Sequence, residues 1–321
     1  MKVLVTGGSG FLGEAVVRCL LSAGHHATVF SRTEPLVGSA WFAGSVEERR
    51  TLFQAAEGHD AIVHLAGRVT FTRREGYRPL RELHVQGTVN AVEAARSAGI
   101  RRVVFASTSG VVGVHRSRAV VADDSSPHAA RTVRAWPYYL TKIEAERAAF
   151  DRGAALDLEV IAMRPSLMLG PGDRRYASTG VVRDFLTRSV PIVPTGGLAC
   201  VDVRDAAAAF VSALEHANPA RSYLLGAENL SFEELFGRLE QISGVKAPRL
   251  KIPSSLVIAA TRAVSPLTAS RDTLDPVVAE MSRHYWFIDS VAARQDLGFS
   301  PRQLNETLSE TIDWIRQQNA M

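Results

Sequence analysis

The sequence predicts an α/β fold in which a doubly wound parallel sheet is joined by a second, smaller lobe. Short apolar segments rich in β-branched residues alternate with amphipathic helical segments through the first half of the chain. A glycine-rich turn follows the first of these strands. After Pro165 the alternation gives way to loops rich in proline and glycine, and 321 residues are enough for a core shared by two lobes.

Five strands are predicted in the first half, because each is a nearly continuous apolar run, typical of a parallel sheet covered on both faces. In chain order they are KVLVT (2–6), ATVFS (27–31), AIVHLA (61–66), RVVFAS (102–107) and LEVIAM (158–163). Between them, the first helix ends at Gly24 and a longer helical segment covers 80–98. The apolar stripe of the first helix is Leu12, Val16, Cys19, Leu20 and Ala23.

The order of strands, helices and loops in the second half of the chain predicts the domain organisation. We expect residues 1–165 to form the sheet domain, with residues 200–226 returning to it through an apolar strand–helix segment and the strand SYLLG. Residues 166–199 and 227–321 would then form the smaller lobe.

Composition argues against several classes of protein. The net charge is +4, but no basic run interleaves with aromatic residues, so a nucleic-acid partner is not expected. The cysteines Cys19 and Cys200 lie among apolar neighbours, which indicates core residues in a reducing compartment. The first strand begins at Lys2 and no apolar stretch could span a bilayer, so we expect a cytoplasmic protein. Neither a metal-ligand spacing nor a G-x-S-x-G motif occurs.

The first chemical signal is the segment VTGGSGFLG, residues 5–13, which follows a predicted strand and opens a helix. Its glycines Gly7, Gly10 and Gly13 have the spacing G-x-x-G-x-x-G. Glycine permits a tight turn and lets a pyrophosphate approach the backbone, while the helix N-terminus supplies N–H groups and positive potential. A turn without a ligand is the alternative, but the strand–turn–helix context favours a dinucleotide site.

The end of the second strand indicates which dinucleotide binds. An acidic residue there would accept hydrogen bonds from the ribose 2′-hydroxyl of NAD, but the chain has Ser31 and Arg32, with no acid before Glu34. An arginine can instead pair with the 2′-phosphate of NADP. NADP(H) is therefore favoured and NAD(H) is kept as the second choice. Alternatively, Arg32 stacks on adenine or points into water.

The second chemical signal is WPYYLTKIEAER, residues 136–147, where two tyrosines precede one lysine. Pro137 suits the first turn of a helix, so Tyr138 and Tyr139 both lie within reach of Lys142. The stripe through Tyr139 is predicted to be core, whereas the stripe through Tyr138 and Lys142 carries small residues. The first continues with Ile143 and Phe150, and the second with Ala145 and Ala149. We therefore expect Tyr138 to be the chemically active phenol.

With these motifs, the chain resembles the extended short-chain dehydrogenases/reductases over nearly its whole length, and most of all their dihydroflavonol-reductase and 3β-hydroxysteroid-dehydrogenase branches. The resemblance implies a Rossmann-type sheet and a substrate-binding second lobe. Besides the two motifs above, the matching segments are HDAIVHLAG (59–67), GTVNAVEAARSAGIRRVVFASTSGVVG (87–113), RPSLMLGPGD (164–173), VDVRD (201–205) and WFIDSVAARQDLGF (286–299).

The resemblance also implies the catalytic roles. It assigns the catalytic hydroxyl to Thr108, with Ser107 and Ser109 as supporting residues. A ketone that accepts hydride at carbon becomes an alkoxide and needs a proton, which Tyr138 supplies well if its pKa falls from about 10. The Lys142 ammonium would lower that pKa and bind the nicotinamide ribose, and Thr108 would donate to the developing negative charge.

The cofactor and substrate contacts follow from the same resemblance. The loop glycines, the end of the second strand and the tyrosine–lysine pair are expected to contact the dinucleotide. The other expected contacts are Phe11, Leu12, Ser45, Val46, Leu65, Ala66, Gly67, Pro165 and Ser166. The substrate is expected against Thr108, Leu167 and Met168, on an apolar floor formed by Ser166–Gly172.

Two positions depart from the family pattern. His84 stands where asparagine is usual. It either takes over a part in ordering a proton relay and titrates near neutrality, or is a tolerated helix residue. Ser45 replaces an acid that usually contacts adenine.

Three functions are considered: a ketone reductase or alcohol dehydrogenase, a nucleotide-sugar epimerase or dehydratase that keeps its NAD bound, and a non-catalytic dinucleotide-binding regulator. Sugar-nucleotide members usually carry an asparagine and an arginine where this chain has Leu167 and Gly172. The intact set of Thr108, Tyr138 and Lys142 argues against the regulator. A hydrophobic, cyclic or aromatic ketone is therefore the favoured substrate, and a homodimer is left open.

Overall fold

The computed structural model describes residues 1–71, 76–250, 252, 256–259 and 276–319. The strands of its larger sheet are β1 (Lys2–Thr6), β2 (His26–Ser31), β3 (Ala40–Ala43), β4 (Ala61–His64), β5 (Arg102–Ala106), β6 (Glu159–Pro165) and β9 (Ser222–Leu225). They pair in parallel in the order β3-β2-β1-β4-β5-β6-β9. The predicted doubly wound α/β fold is confirmed.

Helices cover both faces of this sheet, because successive side chains along a strand point to opposite sides. Val3 and Val5 of β1 pack against α1 (Phe11–Ser22) and α8 (Val203–Glu215). Leu4, between them, packs on the other face, which is covered by α2 (Arg49–Ala56) and α4 (Gly87–Ser97). The long helix α6 (Pro137–Ala155) lies beside α4 on that second face.

The helical segment predicted at 80–98 begins earlier and is not uniform. It consists of α3 (Tyr77–Arg81), a π-helical turn at Glu82–Gln86, and then α4. A π turn contains one more residue than an α turn, so the side-chain stripe shifts in the middle of the segment. His84 and Val85 within the turn are buried.

The smaller unit is built around β8 (Gly197–Asp202), which pairs with β7 (Leu167–Leu169), β10 (Glu228–Ser231) and β11 (Tyr285–Trp286). Its core is formed largely by α7 (Gly180–Leu186), α9 (Phe232–Ser243) and α12 (Leu304–Asn319). Three short helices complete the described elements: α5 (Ala130–Val133), α10 (Pro276–Met281) and α11 (Val291–Leu297).

The segment 200–226 does not return to the larger sheet as one block. Residues 200–202 end β8 of the smaller sheet, and the return begins with α8, whose first N–H groups are capped by Asp202. The Asp202 carboxylate accepts a hydrogen bond from the Arg204 N–H over 2.8 Å. The rest of the segment consists of α8, which packs on the larger sheet, and β9, which pairs within it. The domain boundaries stay predictions.

Cys19 is half-buried and Cys200 is buried, and both are free thiols. In the part of the chain that the structure describes, no helix is both long enough and apolar enough to cross a membrane. The same residues contain no cluster of three side chains that could hold a metal ion. The cytoplasmic location and the homodimer stay predictions.

Candidate active site

The loop between β1 and α1 consists of closely packed backbone. Gly7 has a φ of 71°, and a Cβ on it would lie 2.8 Å from the backbone of Ala66. A Cβ on Gly13 would lie 2.3 Å from the Gly7 carbonyl oxygen. Gly10 caps α1, and its N–H donates to that same carbonyl over 3.0 Å. Only glycine fits at positions 7 and 13. The loop ends at the N-terminus of a 12-residue helix.

Phe11 and Leu12 form the first turn of this helix, directly behind the loop. Leu12 is only 8% exposed and belongs to the core beneath the sheet, whereas Phe11 is half-buried. The Leu12 side chain therefore supports the loop from inside, and its backbone is the part that can face a ligand.

At the end of β2 the Ser31 hydroxyl is held by a hydrogen bond, whereas the Arg32 side chain is exposed. Ser31 is buried, and its hydroxyl donates to the Thr33 carbonyl oxygen over 2.6 Å. The Thr33 hydroxyl lies 3.1 Å from that of Ser9 in the glycine loop. Arg32 is exposed and forms no ion pair with any residue that the structure describes. A guanidinium is thus free at the position where the sequence predicted a partner for a 2′-phosphate.

Ser45 and Val46 follow β3 and are held locally. The Ser45 hydroxyl donates to a carboxylate oxygen of Glu47 over 3.1 Å. Val46 is buried, and its carbonyl oxygen accepts a hydrogen bond from the Asn90 amide over 2.9 Å. Both residues lie at the carboxyl end of the sheet, where a dinucleotide is expected.

The residues after β4 lie beside the glycine loop. The Leu65 N–H donates to the Thr6 carbonyl oxygen over 3.0 Å, and the Ala66 N–H lies 3.4 Å from the Thr6 hydroxyl. Gly67 is exposed, and a Cβ on it would come within 3.4 Å of Lys142 Nζ. The predicted cofactor residues of β1, β4 and α6 therefore meet at one edge of the sheet.

Helix α6 begins at Pro137, as predicted, and brings Tyr138 and Lys142 to that edge. The Lys142 ammonium donates to the Ala106 carbonyl oxygen at the end of β5 over 2.8 Å. Two residues later, Thr108 caps a short 3₁₀ turn, and its hydroxyl lies close enough to the Tyr138 phenol to lower the pKa of that phenol. The hydroxyl and the phenol are thus neighbours, and the ammonium lies at the same strand end.

Electrostatics at this set differ from the sequence-based expectation. Burial raises the pKa of Tyr138, and the hydrogen bond from Thr108 offsets only part of that rise. Burial also lowers the pKa of Lys142 to about 8, although the negative charge of Glu146 acts in the opposite direction. We expected the lysine charge to lower the pKa of the phenol, but in the protein alone burial is the dominant cause.

The two tyrosines are equally buried, at 8% exposure each, so burial does not distinguish the two stripes of α6 in the way that the sequence predicted. Helix α6 is covered on both sides, and Tyr138 belongs to the same core cluster as Tyr139. Their neighbours distinguish them. Tyr139 packs against Trp286, with ring centroids 4.8 Å apart and ring planes tilted by 35°, and a Cβ on Gly110 would lie 2.2 Å from its ring. Tyr138 instead contacts Thr108.

A hydrogen-bond network fixes the strand end that carries Thr108. The Ser107 hydroxyl donates to Glu146 over 2.6 Å, and Glu146 is fully buried against Arg164 and His128. Burial alone would raise the pKa of Glu146, but the hydrogen bonds from His128 and Arg164 outweigh it and lower the pKa to about 2. The sequence analysis missed this carboxylate, although it lies one turn after Lys142.

A narrow crevice opens against Tyr138. Its lining is Thr70, Phe71, Trp136, Pro137, Tyr138, Tyr139 and Met281. None of these seven side chains carries a charge, and four are aromatic. The Phe71 ring meets the Tyr138 ring edge-on, with centroids 5.8 Å apart. Trp136 stands next to the tyrosine motif and could have been found from it, whereas no sequence signal connects Phe71 or Met281 to the site.

The predicted substrate floor stays a prediction, and its residues lie outside this crevice. Leu167 and Met168 are half-buried in β7, and neither lines the crevice beside Tyr138. Leu167 packs on the core of the smaller unit and Met168 on that of the larger unit. Strand pairing with β8 explains this, because it turns alternate side chains of so short a strand into the two cores. Val182 and Phe185 of α7 also belong to the smaller core.

Pro165 and Ser166 lie where β6 ends, near the nucleotide edge. Ser166 is 9% exposed, and its hydroxyl has no hydrogen-bond partner among the described residues. A buried hydroxyl without a partner is costly unless a ligand or a water pairs with it. With the glycine loop, exposed Arg32 and the Lys142 ammonium, this hydroxyl makes the residues present fit a bound dinucleotide.

His84 does not behave as expected for a residue that titrates near neutrality. It is 1% exposed, and burial, assisted by the nearby charge of Lys142, lowers the pKa of its imidazole to about 2. The imidazole is therefore neutral, and the titrating form of the relay hypothesis is wrong. Both ring nitrogens make contacts, so His84 is part of a buried hydrogen-bond network.

Comparisons with known proteins agree with this geometry. The sequence model of the NAD-dependent epimerase/dehydratase family matches residues 3–226 of this chain. A putative dihydroflavonol 4-reductase of Synechocystis is 27% identical over 97% of this chain and 94% of its own length. A 3-beta-hydroxysteroid dehydrogenase of Mycolicibacterium neoaurum is 27% identical over 94% of this chain and 87% of its own.

Solved structures share the whole architecture. The crystal structure of gox2253 superposes with a TM-score of 0.86 at 28% identity, covering 100% of this chain and 99% of that one. A Thermus thermophilus UDP-glucose 4-epimerase in complex with NAD superposes with a TM-score of 0.79. Its identity is 22% over 98% of this chain and 99% of the epimerase, so this second likeness concerns the fold alone.

Proposed function

We propose a reductase function on the premise that the chain belongs to the NAD-dependent epimerase/dehydratase family, the extended short-chain dehydrogenases/reductases. The proposed reaction is reduction of a ketone, or oxidation of a secondary alcohol, on a hydrophobic cyclic or aromatic small molecule. The observation that carries the proposal is the position of the Tyr138 phenol. The phenol lies beside the Thr108 hydroxyl, and its ring lines an uncharged, mostly aromatic crevice.

The proposed mechanism assigns one task to each side chain. A bound reduced nicotinamide supplies the hydride that attaches to the carbonyl carbon. Thr108 donates a hydrogen bond to the carbonyl oxygen, and Tyr138 gives that oxygen its proton as the negative charge develops. Lys142, adjacent to Gly67, holds the nicotinamide ribose and favours the ionised phenol that remains. The aromatic walls exclude water from this step.

NADP(H) is the proposed cofactor, with NAD(H) as the alternative. Gly7, Gly10 and Gly13 would hold the pyrophosphate at the start of α1. Exposed Arg32 supports NADP(H), because a guanidinium at the end of β2 can bind a 2′-phosphate with paired hydrogen bonds. The nicotinamide half would lie against Ala66, Gly67 and the buried Ser166 hydroxyl.

The alternative function is nucleotide-sugar epimerisation or dehydration with tightly bound NAD. A diphosphate needs cationic or hydrogen-bonding partners, and the seven crevice residues offer one threonine and two phenols. This composition favours an apolar ketone.

A substrate screen tests the proposal. Purified protein is incubated with NADPH or NADH and a panel of aryl and cyclic ketones, and in parallel with NAD and UDP-sugars. We expect oxidation of NADPH with the ketones and no conversion of the UDP-sugars. Conversion of a UDP-sugar, with no turnover of any apolar ketone, would show that the epimerase alternative is right.

A further inference from the structure

The π-helical turn places one imidazole between two parts of the site. His84, at the centre of the turn, packs its ring edge-on against the ring of Tyr138, with centroids 5.7 Å apart. Single π turns inside helices occur frequently at functional sites. The residues on either side of the imidazole indicate what this turn does.

One nitrogen of the ring reaches the tyrosine helix. His84 Nδ1 lies 2.9 Å from the hydroxyl of Thr141, which is fully buried on α6 directly before Lys142. The Thr141 hydroxyl itself donates to the Tyr138 carbonyl oxygen over 2.9 Å. When the Thr141 proton is used there, Nδ1 donates to Thr141, and in the other tautomer of the ring Nδ1 accepts from Thr141. The contact to α6 is therefore made in either tautomer.

The other nitrogen reaches the loop after β4. Nε2 lies 3.1 Å from the Arg68 backbone N–H and 3.1 Å from the Arg68 carbonyl oxygen, so it accepts from the first or donates to the second according to the tautomer. The neighbouring Gly67 is where the loop approaches the ammonium of Lys142. A Cβ on Gly67 would lie 3.4 Å from Lys142 Nζ and 3.6 Å from His84 Nε2. The imidazole therefore bridges α6 and this loop at the point where they meet.

We propose that His84 is a positioning residue that ties Thr141 of α6 to the Arg68 backbone and so fixes Lys142 and Tyr138 relative to the Gly67 loop. The inference rests on the proposed function, in which that loop lies under the nicotinamide half of the dinucleotide. The bond to Arg68 holds the loop and thereby the cofactor. The bond to Thr141 holds the first turn of α6 and thereby the phenol.

The two bonds can be removed separately, because the amide side chains have different lengths. In His84→Asn the amide nitrogen stands near the position of Nδ1, so the bond to Thr141 is kept and the bond to Arg68 is lost. In His84→Gln the amide oxygen stands near the position of Nε2, so the bond to Arg68 is kept instead. His84→Phe keeps a ring and removes both bonds.

The experiment measures three quantities on each purified variant: the Kd of NADPH by fluorescence, kcat with a ketone, and hydrogen exchange at the Arg68 amide. For His84→Asn we expect a Kd about three- to tenfold weaker, the effect of one neutral hydrogen bond, with faster exchange at Arg68 and nearly unchanged kcat. For His84→Gln we expect the converse: kcat about three- to tenfold lower, with Kd and exchange unchanged. His84→Phe should show both losses.

Two results would overturn the proposal. If both variants keep the wild-type Kd, kcat and exchange and merely melt at lower temperature, His84 is a core residue. If both lose Kd and kcat in equal measure, the assignment of one bond to each task is wrong. Should a His84 variant fail to fold, Thr141→Val removes the bond between His84 and α6, together with the Thr141–Tyr138 bond inside that helix, and keeps the bond to Arg68. It must lower kcat without weakening NADPH. If the wild type reduces no ketone, the proposed function fails, while NADPH affinity and Arg68 exchange still decide the role of His84.

Discussion

At the nucleotide end of the site, Gly7 and Gly13 bring three backbone segments into contact, whereas at the substrate end the walls are side chains from distant positions. A Cβ on Gly7 would collide with the backbone of Ala66, and a Cβ on Gly13 with the backbone of Gly7, so the glycines of one short motif determine how closely these segments pack. The crevice instead combines Phe71, the segment 136–139 and Met281. Cofactor binding is therefore a property of a local motif, and substrate choice is a property of the tertiary fold.

The comparison is tested most strongly where the two ends meet, at Tyr138. Tyr138→Phe removes the proton donor but keeps the ring, so kcat should fall about 10²- to 10⁴-fold, the usual contribution of a positioned acid–base group. The Kd of NADPH should stay close to that of the wild type. The matched control is Tyr139→Phe, which should keep most of the activity because Tyr139 packs on Trp286. Reversed results would move the catalytic phenol to Tyr139.

At the nucleotide end, Arg32→Ala tests the choice of cofactor. Loss of a charge-assisted hydrogen bond worth about 1.5–3 kcal/mol should weaken NADPH about ten- to hundredfold and change NADH little. Arg96→Ala, an exposed arginine in the last turn of α4, is the control and should leave both cofactors unaffected. Equal losses for NADPH and NADH, or a wild-type preference for NADH, would contradict the NADP assignment.

At the substrate end, Phe71→Ala removes one aromatic wall of the crevice. We expect kcat/KM for an aromatic ketone to fall about tenfold, since a few buried carbon atoms of contact are lost, with the Kd of NADPH unchanged. Leu167→Asn is the comparison, because Leu167 belongs to the floor predicted from sequence but packs on the smaller core. A larger loss per folded molecule in Leu167→Asn than in Phe71→Ala would restore the predicted floor.

The smallest expected effect is a pH dependence of cofactor affinity. Because burial lowers the pKa of Lys142 to about 8, the ammonium is lost as the pH rises from 7 to 9, and NADPH should bind a few-fold more weakly. Lys142→Met should bind weakly at both pH values. The free energy of unfolding of the wild type rises over the same change of pH, because Lys142 keeps its proton to a higher pH in the unfolded chain than in the folded one. Between pH 8 and the ordinary lysine pKa of about 10.4, Lys142 therefore makes unfolding harder as the pH rises. Affinity that is flat from pH 7 to 9 would contradict the role of the ammonium.

The same contrast explains what the sequence could predict. Gly7, Gly10, Gly13, Pro137 and Lys142 act through local geometry, so their spacing was sufficient to find the loop, the start of α6 and the edge where they meet. The neutral imidazole of His84 could not be foreseen, because its pKa depends on burial in a π turn.

The residues that line the crevice beside Tyr138 could not be predicted from the sequence either. The sequence around Leu167 and Met168 did not indicate that β7 pairs with β8 and turns those side chains towards two cores. Their place in a substrate floor stays a prediction. Phe71 and Met281 are 210 positions apart in sequence and meet only through the fold. A wall assembled from such distant residues leaves no local pattern in the chain.

The proposed reductase chemistry is tested most directly by following the hydride itself. Wild-type protein is given an aromatic ketone with NADPH deuterated at the transferable position, and the products are analysed by mass spectrometry. We predict one deuterium on the carbinol carbon of the alcohol, one NADP⁺ formed per alcohol, and neither product with Tyr138→Phe. An alcohol that carries no deuterium, or no oxidation of NADPH with the ketone, would contradict the account.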